Sequence, residues 1–275
     1  MLRLFNAFSF FGDVVGRADR HAVVRHLPRL RGDLGLDAVV INAENAAGGF
    51  GITQSTADEL FEAGADVLTL GNHSFDQAQG IRVIENEPRL LRPCNYPQGQ
   101  VPGRGAGLFN VKGYNLLVIN VHGRVFMDAL DDPFVAVERE LNAAPLGDVA
   151  DAVLVDMHAE ATSEKNAMGY FCDGRASLVV GTHQHVPTAD ARILPDGTAY
   201  QTDAGMCGDY NSIIGMQTEE PLRRFTTRMR GGRFEPATGD GTLCGVFVQT
   251  NARGLADRIE PIRVGGQLAK QVPVV

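Results

Sequence analysis

The sequence has no tryptophan, no Cys-x-x-Cys pair and no apolar run that approaches the roughly 20 residues of a membrane span. Its cysteines are scattered, at Cys94, Cys172, Cys207 and Cys244. This spacing favours reduced, buried thiols in a cytoplasmic protein over disulfides, and we expect no association with a membrane. The HxHxDH run of metallo-β-lactamase-type hydrolases is also absent, which excludes that class.

Positive charge is scarce as well. The formal net charge is −8, and no cluster of lysine and arginine is evident. This balance argues against an extended nucleic-acid-binding surface, and the sequence shows no aromatic platform that would recognise a base. A small phosphate ester held by a metal remains compatible with the charge.

The 275 residues contain no proline- or serine-rich linker, internal repeat or low-complexity tract. Because 44% of the residues are hydrophobic, the chain can bury a large core, and we expect one domain over residues 1–275. The apolar start, residues 4–11, has no cleavage-site pattern and runs directly into Gly12-Asp13. We interpret it as a core strand and not as a signal peptide.

What the sequence does contain is a repeated order of apolar strand and polar loop. Two neighbouring apolar strands, over residues 37–42 and 66–70, are each followed at once by polar side chains. These are Glu44 and Asn45 after the first strand, and Asn72 and His73 after the second. Because parallel strands of an open α/β sheet place ligands at their carboxyl ends, this pattern predicts a site.

Asp13 extends this pattern to the first strand. A right-handed βαβ crossover between the strands over 4–11 and 37–42 would place Asp13 and Glu44 at the same sheet edge. Paired carboxylates there are either hydrogen-bonded turn residues or ligands of a hard metal ion. The spacing alone does not separate the two alternatives.

The remaining elements are predicted from periodicity and turn signals. The predicted helices cover residues 20–30 (ended by Gly32), 56–63 (capped by Ser55 or Thr56), 74–87, 133–144, 163–171 and part of 216–229. A hairpin is predicted over 107–121 with its turn at Lys112-Gly113, and further strands over 151–157 and 177–181. The β-rich stretch after residue 189 is predicted to belong to a second sheet.

Four of the seven histidines follow apolar strands: His73, His158, His183 and His185. A lone histidine in such a place is more often a hydrogen-bonded structural residue, but four of them favour a metal site. We predict an extended backbone at His183-Gln184-His185, with the two rings serving two adjacent ions. Nitrogen ligands mixed with carboxylates suit Fe, Mn, Zn or Co.

The order of these motifs resembles the calcineurin-like metallophosphoesterase superfamily, and within it the YmdB-like branch. The resemblance covers essentially the whole chain and is carried by FGDVVGR, INAENAAGGFGIT, LGNHSFD and VVGTHQHVPTADARILPDGTAYQTDAGMCG. It implies an α/β fold, a four-layer α-β-β-α sandwich with two facing mixed β-sheets.

The resemblance also implies a dinuclear metal site. One ion would be held by Asp13, Glu44, Asn45 and His185. The other would be held by Glu44, Asn72, His158 and His183, so that Glu44 bridges the two ions. Where many relatives have a histidine, this chain has Val15, a loss that Asn45 offsets in the YmdB-like branch. His122 has no ligand counterpart and is interpreted as structural or as a support behind the ligands.

The activity implied is that of a dinuclear-metal phosphodiesterase, a metal-dependent phosphoric ester hydrolase, acting on small phosphodiesters such as 2′,3′-cyclic nucleotides. A hydroxide that bridges the two metals would attack phosphorus, and His73 would act as general acid, oriented by Asp76 unless Asp76 is a helix cap. We expect Fe or Mn, with Zn or Co as further candidates. Arg124, Lys165 and Tyr170 are candidate substrate contacts.

Two other functions stay open. The same metal machinery serves phosphomonoesterases that act on nucleotides or sugar phosphates, and a non-catalytic sensor of a phosphate ligand would need the metals without turnover. Retention of His73 argues against the sensor, because a sensor does not require a general acid. The chain is expected to be cytoplasmic, and relatives of this kind often form homo-oligomers.

Overall fold

A computed structural model describes residues 7–97 and 99–274 of the protein. The helices are α1 (Gly16–Asp33), α2 (Gln54–Glu62), α3 (Ala78–Asn86), α4 (Pro133–Ala143), α5 (Thr162–Phe171) and α6 (Glu219–Thr227). The strands are β1 (Ala7–Phe11), β2 (Ala38–Asn42), β3 (Val67–Thr69), β4 (Leu90–Leu91), β5 (Ala106–Val111), β6 (Tyr114–His122), β7 (Ala152–His158), β8 (Leu178–Thr182), β9 (Arg192–Ile193), β10 (Ala199–Gln201), β11 (Leu243–Thr250) and β12 (Ala256–Val264). No helix among the described residues is long and apolar enough to cross a bilayer.

The strands form two mixed sheets of six strands each. The first sheet has the order β12-β11-β1-β2-β3-β4, in which β1 to β4 run parallel and β11 is antiparallel to both of its neighbours. The second has the order β5-β6-β7-β8-β10-β9, with β6, β7, β8 and β10 parallel and the two edge strands antiparallel. Both sheets are therefore mixed, as predicted.

Three buried clusters separate four layers. The middle cluster joins Phe8 and Val40 of the first sheet to Val118 and Leu154 of the second, so the two sheets face each other. A second cluster lies between the first sheet and α1 to α3, and a third between the second sheet and α4 and α5. The α-β-β-α sandwich predicted from the resemblance is confirmed. The single domain stays a prediction, which the shared middle cluster supports.

Strand β1 shows how alternation divides its side chains between two clusters. Phe8 and Phe10 contribute to the cluster between the sheets, whereas Ala7 and Phe11 contribute to the cluster under the helices. Successive side chains of a strand point to opposite faces, so a strand that is covered on both faces is apolar throughout. The opening residues 1–6 of the chain, which include the start of the predicted strand, lie outside the described residues.

Two predicted features differ in the structure. The strands after residue 242, β11 and β12, extend the first sheet and not the second, because β11 pairs with β1. Only β9 and β10 join the second sheet as expected. The alternating pattern of polar and apolar residues is the same for either sheet, so the pattern alone could not assign these strands.

Helix boundaries are the other difference. Helix α1 begins at Gly16 and continues past Gly32, and α2 begins earlier than predicted because Thr53 is its N-cap, in a capping box with Thr56. Helix α3 begins only at Ala78, since the preceding residues form turns that carry site residues. The predicted hairpin is confirmed, with positive φ at Lys112 and Gly113, as a tight two-residue turn requires.

Candidate metal centre

Two groups of side chains that could hold a metal ion lie at the carboxyl edge of the parallel strands. Asp13, Glu44 and His185 form one group, and Glu44, His158 and His183 form the other. Within each group the ligand atoms lie within 4.8 Å of one another. Glu44 belongs to both groups, as the predicted bridging role requires.

The Glu44 carboxylate is buried and held from several directions. Its Oε1 atom lies 3.2 Å from His158 Nε2 and accepts a hydrogen bond from Asn45 Nδ2, while Oε2 accepts one from the His73 backbone N–H. Burial alone would raise the pKa of Glu44, but the opposing effect of His158 lowers it below its usual value. The carboxylate is therefore held in its ionised form, the form that binds cations.

Asp13 and His185 have the donor atoms of one ion site. The Asp13 Oδ1 atom is buried and has no hydrogen-bond partner among the described residues, and burial raises the pKa of this carboxyl to about 6. His185 Nδ1 lies 2.9 Å from the Ile214 carbonyl, to which it can only donate. This contact places the lone pair of the ring on Nε2, which lies 3.8 Å from Asp13 Oδ1.

Asn45 lies beside the same group. Its Nδ2 atom is 3.2 Å from His185 Nε2, and its Oδ1 atom is buried without a partner among the described residues. An unpaired buried carbonyl oxygen costs about 1–3 kcal/mol, a cost that a cation in the site would remove. Asn45, which the sequence predicts as a ligand, thus lies beside the group formed by Asp13, Glu44 and His185.

The second group surrounds His158 Nε2. Asn72 Oδ1 lies 2.8 Å from this atom and His183 Nδ1 lies 3.1 Å from it. His183 Nε2 is 3.3 Å from the Glu160 carboxylate, so its N–H faces Glu160 and Nδ1 keeps its lone pair. Burial, followed by the nearby His158, lowers the pKa of His183 to about 3. A neutral imidazole is the ligand form for a metal ion.

A relay behind His158 fixes its ring. The Thr182 hydroxyl donates to Asp156 Oδ1 at 2.7 Å and lies 2.9 Å from His158 Nδ1, so it accepts the N–H of the ring. Asp156 is fully buried and its Oδ2 also accepts from Thr69, Asn42 and Asn120. Sequence reasoning missed this relay. The available signal was a charged residue inside the otherwise apolar strand β7.

We expect Thr182→Val to weaken metal binding. Valine keeps the volume but removes the acceptor for His158 Nδ1–H, and loss of such a support costs about 10–100-fold in metal affinity or activity. Titration of the metal-free protein with Mn²⁺ should show one weakened site and a second site that is unchanged. The control is Thr226→Val, an exposed threonine that is in neither ligand group and whose hydroxyl donates to backbone carbonyls of its own helix. Equal affinities in Thr182→Val and the wild type would contradict the role of the relay.

The backbone of the HQH segment departs from the prediction. His183 and His185 have φ values of 95° and 64°, which is the left-handed region and not an extended strand. Such conformations cost of the order of 1–3 kcal/mol per residue and cluster at functional sites. The two rings belong to different groups of candidate ligands, so their division between two ions stays a prediction, which this placement supports.

Gly71 is a further residue that the site requires. A Cβ atom at this position would lie 2.3 Å from Glu44 Oε2 and 2.4 Å from His158 Nε2. Any side chain would therefore displace the shared carboxylate or a histidine ligand. The glycine in the Gly71-Asn72-His73 turn thus allows the backbone to approach the ligands closely.

His73 faces the same region without belonging to either ligand group. Its Nδ1 atom lies 2.7 Å from Asp76 Oδ2, and its ring meets Phe50 edge to face at 5.1 Å. Helix α3 has Gln77 as its N-cap residue, so Asp76 is not the cap and instead orients His73. The Nε2 atom of a ring held in this way is free to meet a substrate.

A cavity of about 720 Å³ opens beside the ligands. Its polar part includes Glu44, His73, Glu160, His183 and His185, and its apolar part is formed by the side chains of Phe50, Val186, Ile213, Ile214, Met216, Pro221, Phe225 and Phe234. A concave apolar space with a few convergent polar groups is typical of small-molecule sites. The candidate site is therefore an open pocket and not a closed structural metal site.

The candidate substrate contacts named from the sequence do not line this cavity. Arg124 pairs with Asp132, and Tyr170 is exposed on α5. Lys165 is fully buried, and its ammonium lies 2.8 Å from Asp203 Oδ2. Because the ammonium group is neutralised by Asp203 inside the protein, Lys165 has a structural role. The geometry lends no support to substrate contacts by these three residues.

His122 supports the ligands from behind. It is buried, stacks on His158 with ring centroids 6.0 Å apart, and neither ring nitrogen has a hydrogen-bond partner among the described residues. Burial, together with the charge of His158, lowers its pKa to about 4, so the ring is neutral at pH 7. This placement agrees with the structural interpretation.

These observations together fit two metal ions. The donors are two carboxylates, three histidine nitrogens and amide oxygens, a mixture that suits first-row transition metals better than Ca²⁺. Asp13 Oδ1 and Asn45 Oδ1 are buried without a hydrogen-bond partner among the described residues, so both oxygens are available to bind a cation. Two facing mixed sheets with a carboxylate shared between two ligand groups define a protein of the metallophosphoesterase type.

The chain belongs to the YmdB-like protein family, whose sequence model matches residues 9–262. It is 45% identical over 239 residues to a Bacillus subtilis (strain 168) protein named 2′,3′-cyclic-nucleotide 2′-phosphodiesterase, and the match covers 87% of this chain and 89% of that one. The family assigned from the sequence motifs is confirmed.

Two solved structures share the fold. A crystal structure of a hypothetical protein from Thermus thermophilus has a TM-score of 0.87 and 44% identity, covering 95% of this chain and 100% of that one. A Mycoplasma pneumoniae protein, described as a novel phosphatase, has a TM-score of 0.88 and 33% identity, covering 96% and 95%. The architecture is therefore common to relatives over almost their full length.

Proposed function

We propose that the protein is a dinuclear-metal phosphodiesterase that opens 2′,3′-cyclic nucleotides. The observation that carries this proposal is the shared carboxylate: Glu44 belongs to both ligand groups, and His73 faces the same cavity. The name of the Bacillus subtilis relative supports the substrate class. The Mycoplasma pneumoniae relative, described as a phosphatase, keeps the monoesterase alternative in the test.

In this proposal Asp13, Asn45 and His185 hold one ion, Asn72, His158 and His183 hold the other, and Glu44 serves both. Bound there, the ions would supply Lewis-acid activation of water and neutralisation of phosphate charge. The rest of the chemistry belongs to the chain. Asn72 Oδ1 lies 2.8 Å from His158 Nε2, which places it beside the second ion of this proposal, and the apolar wall of the cavity offers a surface to the rest of the substrate.

His73 would act as the general acid. In the hydrolysis, the oxygen of water forms a bond to phosphorus while the bond from phosphorus to O2′ breaks. The O2′ atom then takes up a proton and becomes a free hydroxyl, leaving a 3′-phosphomonoester. Asp76 accepts the Nδ1–H of His73, which leaves an Nε2–H of the protonated ring to donate to O2′. A sensor without turnover would not need this dyad.

The test is turnover by protein loaded with Mn²⁺ or Fe²⁺. We expect hydrolysis of 2′,3′-cyclic AMP and bis-p-nitrophenyl phosphate to exceed that of p-nitrophenyl phosphate. Chelation should abolish activity, and added metal should restore it. Faster cleavage of the monoester would favour the phosphomonoesterase, and two bound metals without turnover of any of these esters would favour the sensor.

Three finer points belong to the same proposal. We infer that Fe or Mn occupies the two positions, because the mixture of nitrogen and oxygen donors suits both ions. The four cysteines are all buried and free of disulfides, which supports a reducing, cytoplasmic location. A homo-oligomer remains a prediction from the sequence resemblance. Elemental analysis of protein purified without added metal tests the first point.

A further inference from the structure

The segment between Gly208 and Thr242 forms one wall of the cavity. Its ends are joined by a bridge between these two residues, and it contains α6. Pro221 and Phe225 of α6, and Phe234 after it, line the same cavity as the metal ligands. We call residues 209–241 the arginine flap. Its lining side chains are apolar, and it contributes no strand to either sheet.

Two aromatic rings of the arginine flap face the cavity. Phe225 is 78% exposed although it is a large apolar residue, and Phe234 is half-buried beneath the guanidinium of Arg224 at 3.8 Å from its ring centroid. Arg224 is itself held by Glu220. Phe234 is thus fixed in place, whereas Phe225 exposes its surface to solvent at the cavity wall. An exposed phenylalanine in a pocket offers a stacking surface for a base.

The arginine flap carries no net charge as a whole, because its arginines are matched in number by Asp209, Glu219, Glu220, Glu235 and Asp240, but the arginines are concentrated in one stretch. Between Arg223 and Phe234 there are five arginines and no acidic residue, in a chain whose formal net charge is −8. The prediction that no such cluster exists is therefore wrong for this segment. Four of the five are exposed and have no carboxylate within ion-pair distance among the described residues: Arg223, Arg228, Arg230 and Arg233.

A single cyclic mononucleotide does not account for this arrangement. Its one phosphate is the reacting group and would lie at the metal ligands. A mononucleotide therefore has no further phosphate that the four unpaired arginines could bind. A single-stranded nucleic acid carries a negative charge at every nucleotide, together with bases that stack on aromatic rings. Positive charge beside an exposed aromatic ring is complementary to that polymer and not to an uncharged ligand.

We propose that the preferred substrate is an oligoribonucleotide whose 3′ end carries the 2′,3′-cyclic phosphate. The cyclic phosphate enters the metal centre, the terminal base contacts Phe225, and the upstream phosphates pass along the exposed arginines of the flap. The arginine flap is then a specificity element that distinguishes a polymer end from a mononucleotide. This inference rests on the proposed phosphodiesterase and names its substrate class.

The test compares a hexaribonucleotide that ends in a 2′,3′-cyclic phosphate with 2′,3′-cyclic AMP, using the metal-loaded full chain. We expect kcat/KM for the hexamer to be at least about tenfold higher in the wild type. It should also fall steeply with salt, since each phosphate contact to a single strand contributes a slope of about −0.7 in log–log form. The mononucleotide should show a much weaker dependence on salt.

The variant Arg223→Gln/Arg228→Gln/Arg230→Gln should lower the ratio of the two kcat/KM values at least about tenfold and flatten the salt dependence of the hexamer. The matched control, Arg25→Gln/Arg82→Gln/Arg253→Gln, removes the same charge at exposed positions of other elements and should leave the ratio unchanged.

Phe225→Ala should lower kcat/KM for both substrates at least about fivefold, because both present a terminal base.

The outcomes separate the two proposals. If neither substrate is turned over, the proposed phosphodiesterase fails and the inference fails with it. If the mononucleotide is hydrolysed but the hexamer shows no preference, or if both arginine triples lower the ratio equally, only the inference about the arginine flap is overturned. The inference about the arginine flap is supported if kcat/KM for the hexamer falls steeply with salt in the wild type and in the control triple, and if this dependence is lost in the variant of the flap.

Discussion

We expect His73→Gln to lower kcat for 2′,3′-cyclic AMP by about 10²–10⁴-fold, the usual contribution of a general acid. The imidazole is held by Asp76 at 2.7 Å and lies at the cavity wall, outside both ligand groups. Glutamine can form hydrogen bonds but cannot donate a proton to the O2′ alkoxide. Steady-state kinetics at saturating metal measures this loss.

The leaving group provides the sharper readout. The p-nitrophenolate ion departs without protonation, so His73→Gln should lose far less activity with bis-p-nitrophenyl phosphate than with the cyclic nucleotide. Asp76→Asn, which keeps the imidazole and removes its partner, should show a smaller loss with the same dependence on leaving group. Equal losses with both esters would mean that His73 does not protonate the leaving group.

Metal content serves as the control for this pair of variants. The contact between His73 and Glu44 runs through the backbone N–H of His73, which glutamine retains. Both variants should therefore bind two ions with the affinity of the wild type. Reduced metal content in His73→Gln would assign its loss of activity to the metal centre and not to proton transfer.

The sequence singled out candidate ligands that the fold brings together, because strand ends are locally encoded. Asp13, Glu44 and His158 each lie at the end of a short apolar strand or within two residues of it, and parallel pairing carries such positions to one sheet edge. The order of the motifs then identified the family and the four layers. Each of these inferences depends on local spacing, and local spacing can be read without coordinates.

What could not be predicted depends on contacts between distant parts of the chain. Asp156 reaches His158 only through Thr182 and also holds Thr69 of the other sheet, so its role needs both sheets in place. The left-handed backbone at His183 occurs where its N–H donates to Asp13 Oδ2, a residue 170 positions earlier in the chain. Neither feature has a local pattern that predicts it.

The arginine flap was missed for a different reason. Its arginines are visible in the sequence, but a chain with net charge −8 gave no reason to attribute a local function to them. Only the cavity shows that Phe225 and Phe234 stand beside the metal ligands. Total charge describes the whole surface and does not report how charge is distributed over it.

Glu44→Gln should be the most damaging substitution among the candidate ligands, because Glu44 is the one residue in the described part of the chain that belongs to both groups. Loss of the shared charge should reduce metal content from two ions to at most one and lower kcat at least about 10³-fold, since metal stabilisation of the transition state amounts to several kcal/mol. Elemental analysis after dialysis, beside the kinetics, measures both effects.

Asp13→Asn is the matched comparison for Glu44→Gln. It makes the same change from carboxylate to amide, but Asp13 belongs to only one group. This variant should keep the ion held by Glu44, His158 and His183 and lose the other. A calorimetric titration with Mn²⁺ should then show one tight site in Asp13→Asn and no tight site in Glu44→Gln. If Glu44→Gln binds two ions as tightly as the wild type, Glu44 does not bridge them, and the dinuclear centre must be built from other side chains.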